Sequence, residues 1–598
     1  MNEHELRELV AMARAGRVSR RAFVRKLVAL GLTAPLASQL LTHAGLAQAA
    51  PSTEYKPTKA GGGGTLKALL WQAPTLLNPH LAVGTKDSEG SRIFYEPLAA
   101  WDLDGNIVPV LAAEIPDIEN GGVAPDGMSV TWKLKKDVQW HDGQPFTADD
   151  VVFNWEYAAD PETAATSIGT YKDITVEKVD PLTVRVRFDK PTPFWADAFT
   201  GTGMIIPKHA FEPYKGAKSR EAPGNLKPVG TGPYRIIDFR PGDLVRGERN
   251  PTYHVANRPY FDAIEVKGGG DAVSAARAVI QTGEYDYAWN MQVEDEILLR
   301  LENGSGSRGR TQMVPSRGIE HIQLNSSDPW TEVDGERSSA KTQHPLFNDP
   351  AVRQALRLLV DRAAIEAHIY GRTGVATGNF LNNPERFVSK NTKWEFNIDK
   401  ANQLLEEAGW QRGADGIRAK NGKRLKLVYQ TSINAPRQKT QAIVKQACQK
   451  AGIDVELKSV TASVYFSSDA ANPDTSRKFY ADIQMYTVGT PSDPDPERFM
   501  QQFVSWEIAS KENKWQGNNP TRWHNDEYDK IYRAARGELD PVKRAALFIT
   551  MNDMVVDDAV VIPIVNRRWV AAVSHKLKAQ LSGWDNDFWN LKDWYREA

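Results

Sequence analysis

From residue 65 onward the chain alternates short segments of two different hydrophobic periods. Val130-Thr131-Trp132-Lys133-Leu134 and Thr183-Val184-Arg185-Val186-Arg187-Phe188 carry apolar side chains at every second position. That period predicts half-buried strands. Residues 65–71 and 483–488 read as two more. Apolar positions three and four apart predict helices over 148–157, 274–281, 351–370, 399–408, 437–450 and 526–535. Asp349-Pro350 places a cap before a proline at the first helical position, and Asn397 to Asp399 open the next helix. Gly409 and Gly452 stand where helices end. Strands and helices alternate at unequal lengths with no solenoid period. The pattern predicts an α/β protein with sheets flanked by helices.

A different pattern precedes this one. Ser19-Arg20-Arg21-Ala22-Phe23-Val24-Arg25-Lys26 is followed by an interrupted apolar stretch and by Ala47-Gln48-Ala49. A charged segment, a short apolar segment and a small-x-small site make an export signal over 1–49. The paired arginines resemble the bacterial twin-arginine signal, which places the mature protein in the periplasm. The stretch 27–41 is shorter than the roughly 20 residues that span a bilayer. Residues 50–64, ending in four glycines, read as a flexible leader.

Composition narrows the partners. The chain holds 74 basic and 75 acidic residues; the first 49 take seven and three of them, leaving 67 against 72. A balance near −5 argues against nucleic acid and anionic membrane. The single cysteine, Cys448, allows no internal disulfide and no paired-cysteine metal site; its apolar, helical surroundings predict a packed core thiol. No cofactor is implied. The 17 tryptophans all lie beyond the export signal. Several adjoin loop residues (Trp71, Trp289, Trp515, Trp523, Trp584, Trp589, Trp594), as in a protein that encloses a ligand against aromatic faces.

Several ordered runs resemble one family. They include Ile93-Phe94-Tyr95-Glu96-Pro97-Leu98, then Trp140-His141-Asp142-Gly143-Gln144-Pro145-Phe146-Thr147-Ala148-Asp149-Asp150-Val151, then Gly230-Thr231-Gly232-Pro233-Tyr234. Phe347-Asn348-Asp349-Pro350-Ala351-Val352-Arg353, Ala408-Gly409-Trp410, Asn525-Asp526-Glu527-Tyr528-Asp529 and Ile562-Pro563-Ile564 follow. In this order they resemble the family 5 extracellular solute-binding proteins, the dipeptide, oligopeptide and nickel receptors of ABC importers. The resemblance covers nearly all of the chain after the export signal. It implies a bilobed periplasmic-binding-protein clamp of type II, cluster C-like, with an extra inserted domain. Lobe I would hold 65–98, 230–318 and 566–598, the inserted domain 99–229, and lobe II 319–565. It also implies a monomer that captures a peptide or peptide-like solute, performs no covalent chemistry, and delivers its cargo to a permease. An oligosaccharide, an opine-like solute or a metal chelate are the alternative ligands. An exported glycosidase is the rival class, although no nucleophile-elbow, zinc or P-loop pattern is present.

Candidate binding residues follow from loops at strand ends. His141-Asp142-Gly143 lacks the third ligand or positioned partner of a metal or triad and reads as a turn. Gly489-Thr490-Pro491-Ser492-Asp493-Pro494-Asp495 leaves the strand 483–488. In the family's peptide receptors this loop carries an aspartate that pairs with the peptide ammonium. Thr490 falls at that position here, so either Asp493 substitutes for it or the ligand lacks a free amino terminus. Trp289 and Asn290 follow a strand end, as do Asn325 and the Asn379-Phe380 pair. Tyr486 lies in the strand entering the Thr490 loop, and Trp71 ends the first strand. All nine are expected at the cleft.

Overall fold

Thr65–Leu70 alternates buried Leu66, Ala68 and Leu70 with more exposed neighbours, as its sequence period requires. It lies inside a seven-stranded sheet of the computed structural model, which describes residues 63–489 and 494–597. The export signal and most of the leader lie outside the described residues. Across this sheet the order is Gly309–Val314, Trp569–Ser574, Tyr287–Ala288, Thr65–Leu70, Ala263–Gly268, Leu244–Arg249, Tyr234–Arg240. A second, six-stranded sheet runs Gly374–Ala376, Val561–Arg567, Ile319–Leu324, Ile483–Val488, Lys426–Ser432, Asp454–Val460. Its strand Ile319–Leu324 is buried along its whole length. A smaller antiparallel sheet, Ser129–Lys133, Thr183–Phe188 and Ile174–Asp180, packs on the helix Ala148–Ala159. The architecture is a bilobed α/β clamp.

The chain passes between the two large sheets at 315–318 and again at Arg568. These crossings are bonded to each other. The Arg567 amide donates to Gly318 O at 2.7 Å, and Ser316 Oγ donates to Arg567 O at 2.9 Å. Gly583 allows the close approach of its own segment, since a Cβ there would stand 1.9 Å from Pro315 O.

The motif runs meet in space. Gly230 N–H donates to His141 Nδ1 at 3.0 Å, so the ring proton sits on Nε2, which donates to Gly232 O at 3.1 Å. Gly230 in turn lies against the Phe94 carbonyl, where a Cβ would come within 1.8 Å. Burial lowers the His141 pKa to about 4, keeping the ring neutral. Gly143 turns with φ 87°, as the reading of this run as a turn expects.

Helix boundaries follow their caps. Thr147 and Asp150 form a reciprocal capping box. The predicted helix over 351–370 breaks into Pro350–Leu358, Arg362–Ile365 and a wider turn, Glu366–Tyr370. Asp361 causes the restart by accepting from the Ala364 amide. The longest helix among the described residues, Pro541–Asp557, was not anticipated. Cys448 is buried in the helix Ala435–Lys450, and burial pushes its thiol up to about 12.

Candidate functional site

Ile483–Val488 begins buried and becomes partly exposed from Tyr486 onward, so its last three side chains reach the gap between the lobes. A cavity of about 290 Å³ lies there. Val83, Gly84 and Ser88 wall it from the first lobe, and Thr166 and Thr202 from the smaller sheet's unit. Phe466, Arg477, Tyr486, Thr487, Arg498 and Phe499 face them from the second lobe. Tyr486 packs edge-on against His321, Tyr465 and Phe466. Burial raises the Tyr486 pKa, and the nearby Arg477 guanidinium opposes that rise.

The lobes touch along both margins of the cavity. Val83 N–H donates to Ser468 Oγ at 3.2 Å, and Arg498 Nη1 donates to Thr202 Oγ1 at 2.9 Å. Arg536 pairs with Asp173 at 2.7 Å farther out. Trp71 from the first lobe shares one apolar cluster with Ala462 and Phe466 from the second. This is a closed clamp.

Beneath the cavity lies a buried charged network. Glu320 accepts from Arg437 Nε at 2.8 Å and from Gln292 Nε2 at 3.0 Å. Thr487 Oγ1 donates to the same carboxylate and accepts from Arg567 Nη1 at 2.9 Å. Arg567 Nη2 continues to Asn290 Oδ1 at 3.2 Å, tying the end of the strand Val561–Arg567 to the segment after Tyr287–Ala288. Burial alone would raise the Glu320 pKa; the Arg437 charge and hydrogen bond, with Arg567, hold it below the ordinary value.

The nine anticipated residues separate into distinct places. Tyr486 lines the cavity. Trp71 and Asn290 come together just outside it, where Trp71 Nε1 donates to Asn290 O at 2.9 Å. Trp289 is buried against Trp569, with ring centroids 5.7 Å apart. Phe380 stacks behind the cavity residue Phe499 at 4.9 Å. Asn325 turns inward, its amide donating to Phe479 O and Ala481 O at 2.9 and 3.2 Å. Asn379 likewise bonds Ser389 O and Asn552 in the protein interior. Thr490 and Asp493 lie outside the described residues. Asp495 is engaged by Arg544 and caps the Glu497 amide. Arg477 and Arg498, which sequence reasoning missed, supply the charge of the cavity wall.

A second cavity, of about 390 Å³, opens where Asp173, Trp195 and Asp197 face Glu497, Trp506 and Arg536. His524, Asp526 and Asp529 bring ligand-type atoms within 4.8 Å of one another. Asp529 is already held by Ser505, and His524 by Asp526. Among the described residues, no helix is long and apolar enough to cross a membrane.

Two lobes, a double crossing and a cavity closed between them define the periplasmic-binding-protein clamp. The family model described as bacterial extracellular solute-binding proteins, family 5, middle, matches residues 106–511. The chain belongs to this family. It is similar to the oligopeptide-binding protein AppA of Bacillus subtilis, 26% identical over 581 residues that cover 95% of this chain and 98% of that one. It is also similar to the glutathione-binding protein GsiB of Escherichia coli K12, 25% identical over 87% of this chain and 90% of that one. The structure of AppA in complex with a nonapeptide matches with a TM-score of 0.77 at 24% identity, covering 90% of this chain and all of AppA.

Proposed function

We propose that the protein is the periplasmic solute-binding component of an ABC importer, enclosing a peptide or peptide-like solute between its lobes. The observation that carries this reading is the cavity between lobes of a family 5 chain, with Tyr486, Phe466 and Phe499 offering aromatic faces. Relatives that bind oligopeptides and glutathione support the ligand class.

In this reading 65–98, 230–318 and 566–598 form one lobe, 99–229 the inserted domain and 319–565 the other lobe. Sheet membership agrees with that division, since every strand of the six-stranded sheet except the last two residues of Val561–Arg567 falls within 319–565. Export by the twin-arginine route would bring the folded monomer to the periplasm. Closure holds the solute because its contacts are better in the closed form than in the open one. The closed form then docks on a membrane permease. The protein performs no covalent chemistry on its cargo.

Calorimetric titration with short peptides, paired with chromatography of the recovered peptide, tests this function. Saturable binding with an unchanged peptide supports it. Cleavage or modification of the peptide would replace the receptor with an enzyme. Asp493→Asn addresses the Thr490 loop separately, since a loss confined to ligands with a free ammonium would assign Asp493 the amine-pairing role.

A further inference from the structure

We propose that a small inorganic anion such as chloride binds in a third pocket, where Arg92 and Lys135 converge. The pocket holds about 60 Å³, room for a halide with a few waters and too little for a peptide. Arg92 and Glu96 wall it from the first lobe, Lys135 from the end of the smaller sheet, and Phe588 and Lys592 from the C-terminal segment. It shares no described lining residue with the cavity between the lobes, so the inference stands apart from the receptor reading.

Arg92 ends the helix Thr85–Arg92 and is 3% exposed. Its Nη1 donates to Tyr95 O and its Nη2 to Trp589 O, both at 3.2 Å. Among the described residues its buried Nε–H meets no acceptor. A buried donor without a partner is costly, and on a guanidinium an anion compensates it best. Asp585 lies within reach of the Arg92 charge but accepts from the Trp101 and Asn586 amides. Lys135 adds a second cation; burial draws its pKa down, opposed by the Glu96 charge. Lys592 is matched by Asp593 at 2.6 Å. Glu96, the carboxylate among the described lining residues, is already engaged: Tyr253 OH donates to it at 2.8 Å, His254 Nε2 at 2.9 Å and Thr231 Oγ1 at 3.0 Å. His254 Nδ1 is buried and unpartnered as well, and becomes a further donor when the ring is protonated. Arg92 and Lys135 thus leave a positive surplus beside apolar walls, where a small anion is held more strongly than in water. The start of the same helix, Thr85 to Ser88, walls the cavity between the lobes, so an anion at its end braces that wall.

Thermal unfolding in sodium chloride and in sodium gluconate at one ionic strength, with wild type and Lys135→Gln, tests the site. Anomalous diffraction from bromide-soaked crystals of wild type locates it. Wild type should melt about 1–3 °C higher in chloride than in gluconate, and bromide should lie within hydrogen-bond reach of Arg92 Nε. Lys135→Gln should lose most of the chloride-dependent rise while keeping the wild-type midpoint in gluconate. Equal wild-type midpoints in the two salts, a rise that survives Lys135→Gln, or a pocket that holds water alone in the bromide crystals would overturn the proposal. A Lys135→Gln midpoint lowered equally in both salts would make Lys135 a packing residue and overturn it too. Should Lys135→Gln fail to fold, the wild-type chloride dependence and the bromide position decide between the two outcomes.

Discussion

Arg498 Nη1 of the second lobe lies 2.9 Å from Thr202 Oγ1, across the mouth of the cavity. The bond can exist only while the clamp is shut, so it contributes to closure and little to the stability of either lobe. Arg498→Ala should release trialanine several-fold faster, on the scale of about 1 kcal/mol for one hydrogen bond. Stopped-flow dissociation measures the rate. An unchanged rate, with an unchanged scattering radius in the ligand-bound form, would show that the contact does not latch the lobes.

Glu320 and Arg437 form a buried pair at 2.8 Å. Glu320→Gln keeps the shape but leaves Arg437 without its counter-charge, which costs about 3–5 kcal/mol. Denaturant unfolding at neutral pH reads the loss. The folded pKa of Glu320 lies below its ordinary 4.5. The stabilisation is thus complete above that value and disappears as pH falls through the folded value. The gap between wild type and Glu320→Gln should therefore close on acidification below 4.5.

His141 behaves with the opposite charge type. The unfolded imidazole takes a proton below about 6.5, whereas the folded ring stays neutral down to about 4. Protonation between these values favours the unfolded chain. His141→Gln should be less stable than wild type at pH 7, and the difference should shrink between pH 6.5 and 4. A difference that stays constant with pH would mean that the ring is not held neutral by the fold.

Cys448 is buried, and its thiol is pushed up to about 12. An aromatic disulfide reagent at pH 8 should leave the native protein unlabelled and label one thiol after denaturation. Rapid labelling of the native state would place Cys448 at an opening surface rather than in the core.

The strands were legible where one face alone is buried. Thr183–Phe188 matches its predicted span because alternation reports directly on a half-buried sheet, and Ile483–Val488 matches as a short apolar run. Pro541–Asp557 escaped notice although Asp540-Pro541 repeats the cap seen at Asp349-Pro350. Its buried residues Phe548, Met551, Val555 and Val556 and the half-buried Leu547 and Met554 all pack against one cluster, which widens and blurs the apolar stripe. The site was less legible than the fold. Asn325 sits at a strand end, as expected of a pocket residue, but carbonyls about 155 residues away claim its amide. Arg477 carries no motif at all. Only the folded chain brings it to the cavity wall beside Tyr486.

The pair of crossings at 315–318 and 567–568 carries a last consequence. Because Arg567 and Ser316 stitch the two connections together, the halves can swing like book covers about a spine but cannot shear past one another without breaking that seam. The clamp then has two silhouettes, ajar and shut. A single angle separates them.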